Sequence, residues 1–232
     1  MKILIITGGT LNRDFIQEFL TAQSFDEIIV VDGALETASA LSIEFQSLVG
    51  DFDTVDTSLL EKYLGKQGLY IERHRPQKDE TDTELALELA LAKMRKEGRI
   101  PQKDDAIVIL GATGGRLDHM LGNIQLIYRG LKEGIACRLY DEDNCLFMIN
   151  DYHQFGEEAD SYQYVSFLPF SERAEGVTLD GFAYPLEDAV LEKGSTLGIS
   201  NEIRRRGAWV SVKKGILIGI LSRDHGRNQT QL

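Results

Sequence analysis

Short apolar runs alternate with helical segments through residues 1–135, and this alternation restricts the fold of the chain more than any other feature. Runs rich in β-branched residues predict strands at Ile3–Ile6, Glu27–Val31, Phe45–Val49, Leu69–Glu72 and Ala106–Leu110. Helices are predicted at Asp14–Ala22, Leu35–Leu41, Ser58–Leu64, Thr83–Glu97 and about Asp118–Leu131. Several strands lack polar alternation, which is typical of strands covered on both faces. The pattern therefore predicts an α/β domain over residues 1–135, with a doubly wound, mostly parallel sheet and helices on both faces.

Two of these helices begin with a pattern that caps a helix. Ser58 and Glu61 have the spacing of a capping box, and so do Thr81 and Glu84. In such a box the hydroxyl accepts a hydrogen bond from a backbone N–H of the first turn. We therefore expect helices to start at Ser58 and just after Thr81.

Beyond residue 135 the helical periodicity disappears and short strand candidates follow one another. Turns such as Asp143-Asn144, Asp180-Gly181 and Lys214-Gly215 lie between them. The candidates are Cys137–Tyr140, Leu146–Asn150, Tyr162–Phe167, Gly176–Leu179, Thr196–Ser200, Ala208–Val212 and Ile216–Leu221. Many short strands separated by turns indicate a second, C-terminal domain over residues 136–232 that is an all-β sandwich.

Composition excludes some classes of partner. A chain of 232 residues that is 43% hydrophobic can bury a real core, and its net charge of -12 disfavours nucleic acid and anionic membrane surfaces. The apolar run at the N-terminus is too short for a signal peptide or a membrane span. Cys137 and Cys145 provide no disulfide framework; one bridge is possible, but reduced thiols fit the cytoplasmic location that we expect.

Polar and glycine-rich motifs follow each of the five predicted strands of the first domain. Because the carboxyl ends of parallel strands meet at one edge of a sheet, motifs far apart in sequence are predicted to form one site. The motifs are Thr7-Gly8-Gly9, Asp32-Gly33-Ala34, Gly50-Asp51-Phe52-Asp53, Lys78–Asp82 and Gly111–Arg116.

The chemistry of these motifs indicates magnesium and polyphosphate. Asp51 and Asp53 alternate, so in an extended segment both carboxylates point one way while Phe52 turns into the protein. Carboxylate oxygens are the ligands that Mg²⁺ prefers. The glycine turn that ends in Arg116 and opens a helix suits phosphate, since backbone N–H groups and a guanidinium fork can both contact its oxygens. Each motif alone could be an ordinary turn or helix cap, and it is their coincidence at one edge that predicts a site.

The same motifs carry a family resemblance. The order Asp32-Gly33-Ala34, Gly50-Asp51-Phe52-Asp53-Thr54, Lys78–Asp82 and Gly111–His119, with Asn123 and the late Ser200-Asn201-Glu202, resembles the bacterial thiamine pyrophosphokinase family over nearly the whole chain. The resemblance implies ATP-dependent diphosphorylation of the thiamine hydroxyl with release of AMP. It also implies a homodimer in which each active site lies between the α/β domain of one subunit and the sandwich of its partner.

The resemblance assigns roles on the phosphate side of the site. Mg²⁺ would be held by Asp51, Asp53 and Asp82, and Lys78 and Arg116 would absorb charge that develops on the phosphoryl oxygens. The residues implied to bind ATP are Asp32, Gly33, Thr113, Gly114, Gly115 and Arg116.

The proton of the thiamine hydroxyl needs an acceptor. Asp79 and Asp118 are the two candidates, and the sequence leaves both open. Asp118 is also implied to contact thiamine, and Asp32 could act through the metal or through water.

Thiamine recognition is implied to come from the second domain. A cationic thiazolium and a flat aminopyrimidine suit an aromatic face and a few polar groups. By resemblance, Tyr184 would stack on the substrate, and Ser200 and Asn201 would hydrogen-bond its pyrimidine. The family's usual Gly-Leu-Lys-Tyr segment reads Gly181-Phe182-Ala183-Tyr184 here, so its basic residue is missing.

Two alternative functions stay open on the sequence. One is a related pyrophosphokinase with another acceptor, such as a hydroxymethylpterin. The other is a non-catalytic module that senses a nucleotide or thiamine. Intact Asp51, Asp53, Lys78 and Arg116 favour an enzyme, because a protein that only binds does not require them.

Overall fold

The structure is a computed structural model, and it describes residues 1–75, 77, 79–95, 102 and 104–224. The chain divides into two compact units, Met1–Glu142 and Asp143–Leu232. No helix in the described ranges is long and apolar enough to cross a membrane.

Strands and helices alternate through the first unit. The strands are β1 (Lys2–Ile6), β2 (Glu27–Val31), β3 (Ser47–Gly50), β4 (Tyr70–Arg73), β5 (Ala106–Leu110) and β6 (Ala136–Tyr140). The helices are α1 (Arg13–Ala22), α2 (Ala34–Ala40), α3 (Thr57–Tyr63), α4 (Asp82–Met94) and α5 (Leu117–Lys132). All strand pairs in this unit are parallel, in the order β4-β3-β2-β1-β5-β6, which confirms the predicted α/β class.

Both faces of this sheet are buried. Leu4 and Ile6 of β1 pack in one cluster with side chains of α1, α2 and α3, among them Ile16, Leu35 and Leu60. The alternate residues Ile3 and Ile5 are also fully buried, and α4 packs against β1, β2 and β3. A strand buried on both sides has no polar face, which explains why these strands lack alternation.

The sixth strand extends the parallel sheet of the first unit. β6 pairs with β5 in parallel, with Ile107 opposite Cys137 and Ile109 opposite Leu139. Helix α5 supplies the crossover that a parallel pair requires. The first unit therefore continues to Glu142, whereas the sequence placed the start of the β-rich half after residue 135.

Of the two predicted capping boxes, only the one at Thr81 caps its helix as predicted. Thr81 caps α4 as predicted, and its hydroxyl accepts from the Glu84 backbone N–H at 3.2 Å. The capping box at Ser58 is wrong, because Asp56 caps α3 and accepts from the Leu59 N–H at 3.0 Å. Aspartate caps a helix as well as serine does, so residue type alone could not choose between neighbouring positions.

The second unit consists of antiparallel strands. They are β7 (Asn144–Ile149), β8 (Tyr152–Gln154), β9 (Tyr164–Pro169), β10 (Arg173–Asp180), β11 (Leu186–Glu192), β12 (Trp209–Ser211) and β13 (Leu217–Ser222). β13 lies between β7 and β9, and β11-β10-β12-β8 form a separate sheet. Phe147 of β7 and Phe167 of β9 meet Phe155 and Phe182, which follow β8 and β10 of the other sheet, in a buried cluster.

The strand predicted at Thr196–Ser200 is wrong. The segment turns, since the Ile199 N–H donates to the Thr196 carbonyl at 3.1 Å and Ser200 has φ of 57°. A strand that the sequence did not predict, β11, is mostly exposed and acidic and so lacks the apolar pattern of the others.

Burial makes Cys137 unreactive. Both cysteines are buried thiols, and burial raises the pKa of the Cys137 thiol to about 12. A thiol with so high a pKa forms almost no thiolate near neutral pH.

Candidate active site

A cavity of about 670 Å³ opens at the carboxyl edge of the parallel sheet. It is lined by the segments that follow β1, β2, β3 and β5 and by the start of α4. The predicted site residues in its lining are Asp32, Asp51, Asp82, Gly114, Gly115 and Arg116. The strand-end argument from the sequence therefore leads to an actual cavity.

Three carboxylates gather at this edge. One oxygen each from Asp32, Asp51 and Asp53 lies within 4.8 Å of the other two, which is close enough for one cation to contact all three. Asp82 lines the same cavity, and its charge acts on Asp53. Oxygen ligands in this number fit Mg²⁺.

The carboxylates are brought together by a tight turn and not by an extended strand. Phe52 has φ of 60° and a side chain only 5% exposed, packed into the core beneath the sheet edge. Asp51 accepts from the Asp53 N–H at 3.1 Å, and Asp32 accepts from the Phe52 N–H at 3.1 Å. The prediction that Phe52 turns inward is correct, but the backbone is left-handed there because the chain reverses.

Asp32 supports this turn as well as contributing charge. Its second carboxylate oxygen accepts from the Thr54 hydroxyl at 3.0 Å, and its own φ is 43°. Gly50 allows the close approach, since a Cβ there would lie 3.1 Å from the Asp32 Cα. Asp32 thus links the end of β2 to the turn after β3.

Mutual repulsion in this cluster changes a protonation equilibrium. The pKa of Asp53 is raised, first by the charge of Asp51 and also by Asp32 and Asp82. Like charges disfavour a further ionised carboxylate, and a bound cation would reverse that preference.

The loops after β1 and β5 pack so closely that only glycine fits. The Gly9 N–H donates to the Gly111 carbonyl at 2.9 Å, and a Cβ on Gly9 would lie 2.1 Å from that same oxygen. Gly111 has φ of 73°, and Gly114, with φ of 75°, packs on the Thr10 side chain. These three glycines leave a backbone surface without side chains that phosphate oxygens can approach.

Arg116 already holds a carboxylate in a fork. Its Nε donates to Asp118 Oδ1 at 3.1 Å and its Nη2 to Oδ2 at 2.5 Å. Together with a bond from the His119 N–H, this arginine lowers the pKa of Asp118 to about 2. Arg116 lies at the start of α5 and stays largely exposed, so its charge is available to a phosphate group in the cavity.

The start of α4 is tied to the first strand by a buried bond. The hydroxyls of Thr7 and Thr83 are 2.8 Å apart and both residues are buried. Thr81 caps the helix one residue before Asp82, so the carboxylate of Asp82 starts from a fixed helix end. A carboxylate in the first turn also suits the helix dipole.

Several predicted residues lie outside the lining of the cavity. Gly33, Asp79 and Asp118 each adjoin a lining residue in sequence, and Asp53 lies two residues after Asp51. The Thr113 hydroxyl donates to Asp141 at 2.8 Å. Thr113 therefore braces the loop after β6, while buried Asn123 donates to the Ala112 carbonyl at 2.9 Å from α5. The prediction for Lys78 falls outside the described residues.

Three of the four residues predicted to bind thiamine, Tyr184, Ser200 and Asn201, are neighbours in the second unit, whereas Asp118 belongs to the first. Tyr184 is 66% exposed, whereas Asn201 is 3% exposed. The Asn201 side chain accepts from the Tyr184 N–H at 3.0 Å and donates to the Tyr184 carbonyl at 2.7 Å. The Ser200 N–H donates to the Ser166 hydroxyl at 3.0 Å.

Sequence reasoning gave no role to Thr10 or Thr83, although both contribute to the cavity lining. Thr10 follows the glycine pair of the first loop, and that position is a usable signal for a loop that contacts phosphate. Thr83 contacts Thr7, which is 76 positions away in the chain, so the residues next to Thr83 in sequence give no signal of this contact.

Comparisons with protein families match both units. A model of "Thiamin pyrophosphokinase, catalytic domain" matches residues 20–139, and one of "Thiamin pyrophosphokinase, vitamin B1 binding domain" matches residues 152–217. A thiamine pyrophosphokinase of Bacillus subtilis (strain 168) is 42% identical over 175 residues, which are 75% of this chain and 77% of that protein.

Solved structures show the same fold. The crystal structure of thiamine pyrophosphokinase from Bacillus subtilis has a TM-score of 0.81 at 36% identity and covers 97% of this chain and 100% of its own. The enzyme from Geobacillus thermodenitrificans has a TM-score of 0.80 at 30% identity, covering 97% and 99%. The crystal structure of yeast thiamin pyrophosphokinase is similar in fold, with a TM-score of 0.73 at 15% identity. The match covers 95% of this chain and 86% of the yeast chain.

Proposed function

The chain belongs to the thiamine pyrophosphokinase family and has that activity, and we propose that ATP, Mg²⁺ and the residues described above serve the reaction. In this reaction the thiamine hydroxyl attacks the β-phosphorus of ATP, giving thiamine diphosphate, and AMP leaves. The observation that supports our assignment of residues is the cavity lined by two glycine loops, Arg116 and the aspartates Asp32, Asp51 and Asp82, with Asp53 grouped beside Asp32 and Asp51. The vitamin B1 binding match over residues 152–217 favours thiamine over a pterin acceptor.

The carboxylates fit Mg²⁺ and are proposed to hold it. Asp32, Asp51 and Asp53 offer oxygens within 4.8 Å of one another, and the charge of Asp51 raises the pKa of Asp53. Asp82, at the start of α4 in the same lining, is proposed to complete the set. When bound, Mg²⁺ neutralises phosphate charge and orients the polyphosphate chain.

The glycine loops and Arg116 are proposed to place the phosphates. Gly9, Gly111, Gly114 and Gly115 all line the cavity, and a Cβ placed on Gly115 would meet nothing within 4 Å. Arg116 can move its fork from Asp118 to a phosphate, because both partners accept bidentate bonds. Positioning of this kind, together with charge, provides most of the catalysis in phosphoryl transfer.

Asp118 is a weak base while it holds Arg116. A carboxyl with a pKa of about 2 attracts a proton poorly near neutral pH. In the free protein Asp118 therefore orients Arg116. Because Asp118 loses this partner when the fork moves to a phosphate, both Asp79 and Asp118 stay proposed as acceptors of the hydroxyl proton. Lys78, the neighbour of Asp79, is proposed to stabilise phosphate charge.

The thiamine end of the site is proposed to lie on the second unit. The exposed ring of Tyr184 presents a face on which a cationic thiazolium and a flat pyrimidine can stack. Ser200 directly precedes Asn201 in the chain and has φ of 57°, and it is proposed to hydrogen-bond the pyrimidine. The cytoplasmic location and the homodimer with shared sites stay predictions.

Incubation with ATP, Mg²⁺ and thiamine is expected to yield thiamine diphosphate and AMP in equal amounts. Attack on the β-phosphorus transfers both terminal phosphates together and leaves AMP. Chromatography of the nucleotide and thiamine products measures this directly. Formation of ADP with thiamine monophosphate would contradict pyrophosphoryl transfer.

If each site combines two subunits, two variants that are each impaired at a thiamine concentration below the Kd of wild type are expected to restore one another. Asp53→Asn damages the metal end and Tyr184→Ala the thiamine end. In a mixed dimer both lesions fall in one site and the other stays intact, so activity recovers to about half of wild type per heterodimer.

The measurement uses differently tagged chains purified as a verified heterodimer, and each homodimeric variant is the control. A heterodimer as inactive as its parents would show that each site is built from one chain. That outcome would remove the shared site and leave the assigned chemistry unchanged.

A further inference from the structure

Tyr184 lies in a turn whose backbone is held by a single buried side chain. The side-chain oxygen of Asn201 accepts from the Tyr184 N–H at 3.0 Å and from the Glu202 N–H at 2.9 Å. Its side-chain nitrogen donates to the Tyr184 carbonyl at 2.7 Å. One amide therefore bonds both the N–H and the carbonyl of the residue whose ring is exposed.

The orientation of this amide follows from its partners. If the amide were flipped, its NH₂ group would face two backbone N–H groups and its oxygen would face a carbonyl, so the observed orientation is the only one that satisfies all three bonds. Both lone-pair positions of the oxygen are engaged. At 3% exposure, Asn201 has at most one N–H left for any ligand.

The main chain around Asn201 is equally well held. Asn201 exchanges two backbone bonds with Val165 of β9, at 2.8 and 2.9 Å. The Ala183 N–H donates to the Glu202 carbonyl at 2.9 Å, and Phe182 pairs with Ile203. The Tyr184 turn is thus connected through Asn201 to a buried strand of the same unit.

We propose that Asn201 is a positioning residue, which holds the backbone of Tyr184 so that its ring forms a preorganised platform for thiamine. This inference rests on the proposed role of Tyr184 as the stacking residue. An exposed ring on a loose turn would lose conformational freedom when the substrate stacks on it. The Asn201 clamp imposes that order before thiamine arrives, and Asn201 acts through Tyr184 and not through a bond to the pyrimidine.

A double-mutant cycle separates the two roles. Tyr184→Ala and Asn201→Ala are each expected to weaken thiamine binding roughly tenfold, measured by titration calorimetry on the intact protein. If Asn201 acts through Tyr184, the double variant is also roughly tenfold weaker than wild type. Independent contacts would instead multiply to roughly a hundredfold, and that result would overturn the proposal.

Amide hydrogen exchange of the protein without thiamine provides a second readout. In wild type the Tyr184 amide is expected to exchange slowly, and in Asn201→Ala it is expected to exchange faster with the Val165 amide still protected. Thr178→Val is the matched control, because it removes another bond from a side chain to a backbone N–H, that of Asp188, in the same unit. A fast-exchanging Tyr184 amide in the wild type would overturn the clamp without any variant.

The outcomes distinguish this proposal from the proposed function. If Tyr184→Ala binds thiamine as tightly as wild type, Tyr184 is not the platform, and both its stacking role and the clamp proposal fail. If Tyr184→Ala weakens binding and the two effects multiply, only the role of Asn201 fails. Should Asn201→Ala not fold, Asn201→Asp keeps the acceptor oxygen and replaces the donor, and the same cycle applies to it.

Discussion

Asp53→Asn is expected to lower turnover roughly 1,000-fold at saturating Mg²⁺, because it removes one carboxylate from the site proposed to hold the metal. Asparagine has nearly the same shape as aspartate and Asp53 is exposed, so the fold is expected to stay intact. Steady-state rates over a range of Mg²⁺ concentrations measure the loss. Near-normal turnover at high Mg²⁺ would contradict the assignment of Asp53 as a metal ligand.

A matched control isolates the metal site from a general change of charge. Asp14→Asn makes the same substitution at an exposed carboxylate in the first turn of α1, and its turnover is expected to match wild type. A similar loss in both variants would show that net charge, and not the cluster at Asp32, Asp51 and Asp53, governs the rate.

The dependence of stability on pH tests the cluster of Asp32, Asp51 and Asp53 without an activity measurement. The pKa of Asp53 is raised, first by the charge of Asp51, so the folded protein binds this proton more tightly than the unfolded chain does. Its contribution to stability is therefore fully present below 3.8, the usual pKa of an aspartate, and is lost as the pH rises through the raised pKa of the folded state. Mg²⁺ binds the ionised carboxylates, so it is expected to raise the Tm of wild type at neutral pH but not in acid. In Asp53→Asn the increase in Tm at neutral pH is expected to be smaller.

Gly9→Ala is expected to lower the free energy of unfolding by about 3 kcal/mol or more and to abolish most activity. A Cβ at Gly9 would lie 2.1 Å from the Gly111 carbonyl oxygen and 2.9 Å from that of Thr113, and both atoms belong to backbone. Neither can retreat without moving the glycine loop proposed to carry the phosphates. Denaturant unfolding and turnover measure the two effects.

Gly122→Ala is the control for this substitution. Gly122 lies within α5 and nothing would contact an added Cβ within 4 Å, so alanine is expected to stabilise the helix by roughly 0.5–1 kcal/mol. Equal behaviour of the two variants would mean that the close approach of the β1 and β5 loops does not matter to stability.

The sequence predicted the fold class and the edge at which the site forms. Apolar runs without alternation identified the buried strands, and glycine and aspartate after each run identified the carboxyl edge of the parallel sheet. These signals are local, since burial and turn chemistry leave their mark on neighbouring residues. A local signal can also mislead: the strand predicted at Thr196–Ser200 was wrong, because the apolar residues of this segment lie in a turn.

The tertiary structure alone decided which polar groups face one another. Asp32 and Phe52 are 20 positions apart, yet a bond between them shapes the carboxylate cluster, and Asn201 holds Tyr184 from 17 positions away. Such pairs follow from how strands and turns pack, and no spacing in the chain records them. Residue type and periodicity therefore determined the sheet, its edge and the kind of chemistry. The close approach of residues distant in sequence determined which oxygens lie within reach of one cation and which side chain bonds the backbone of Tyr184.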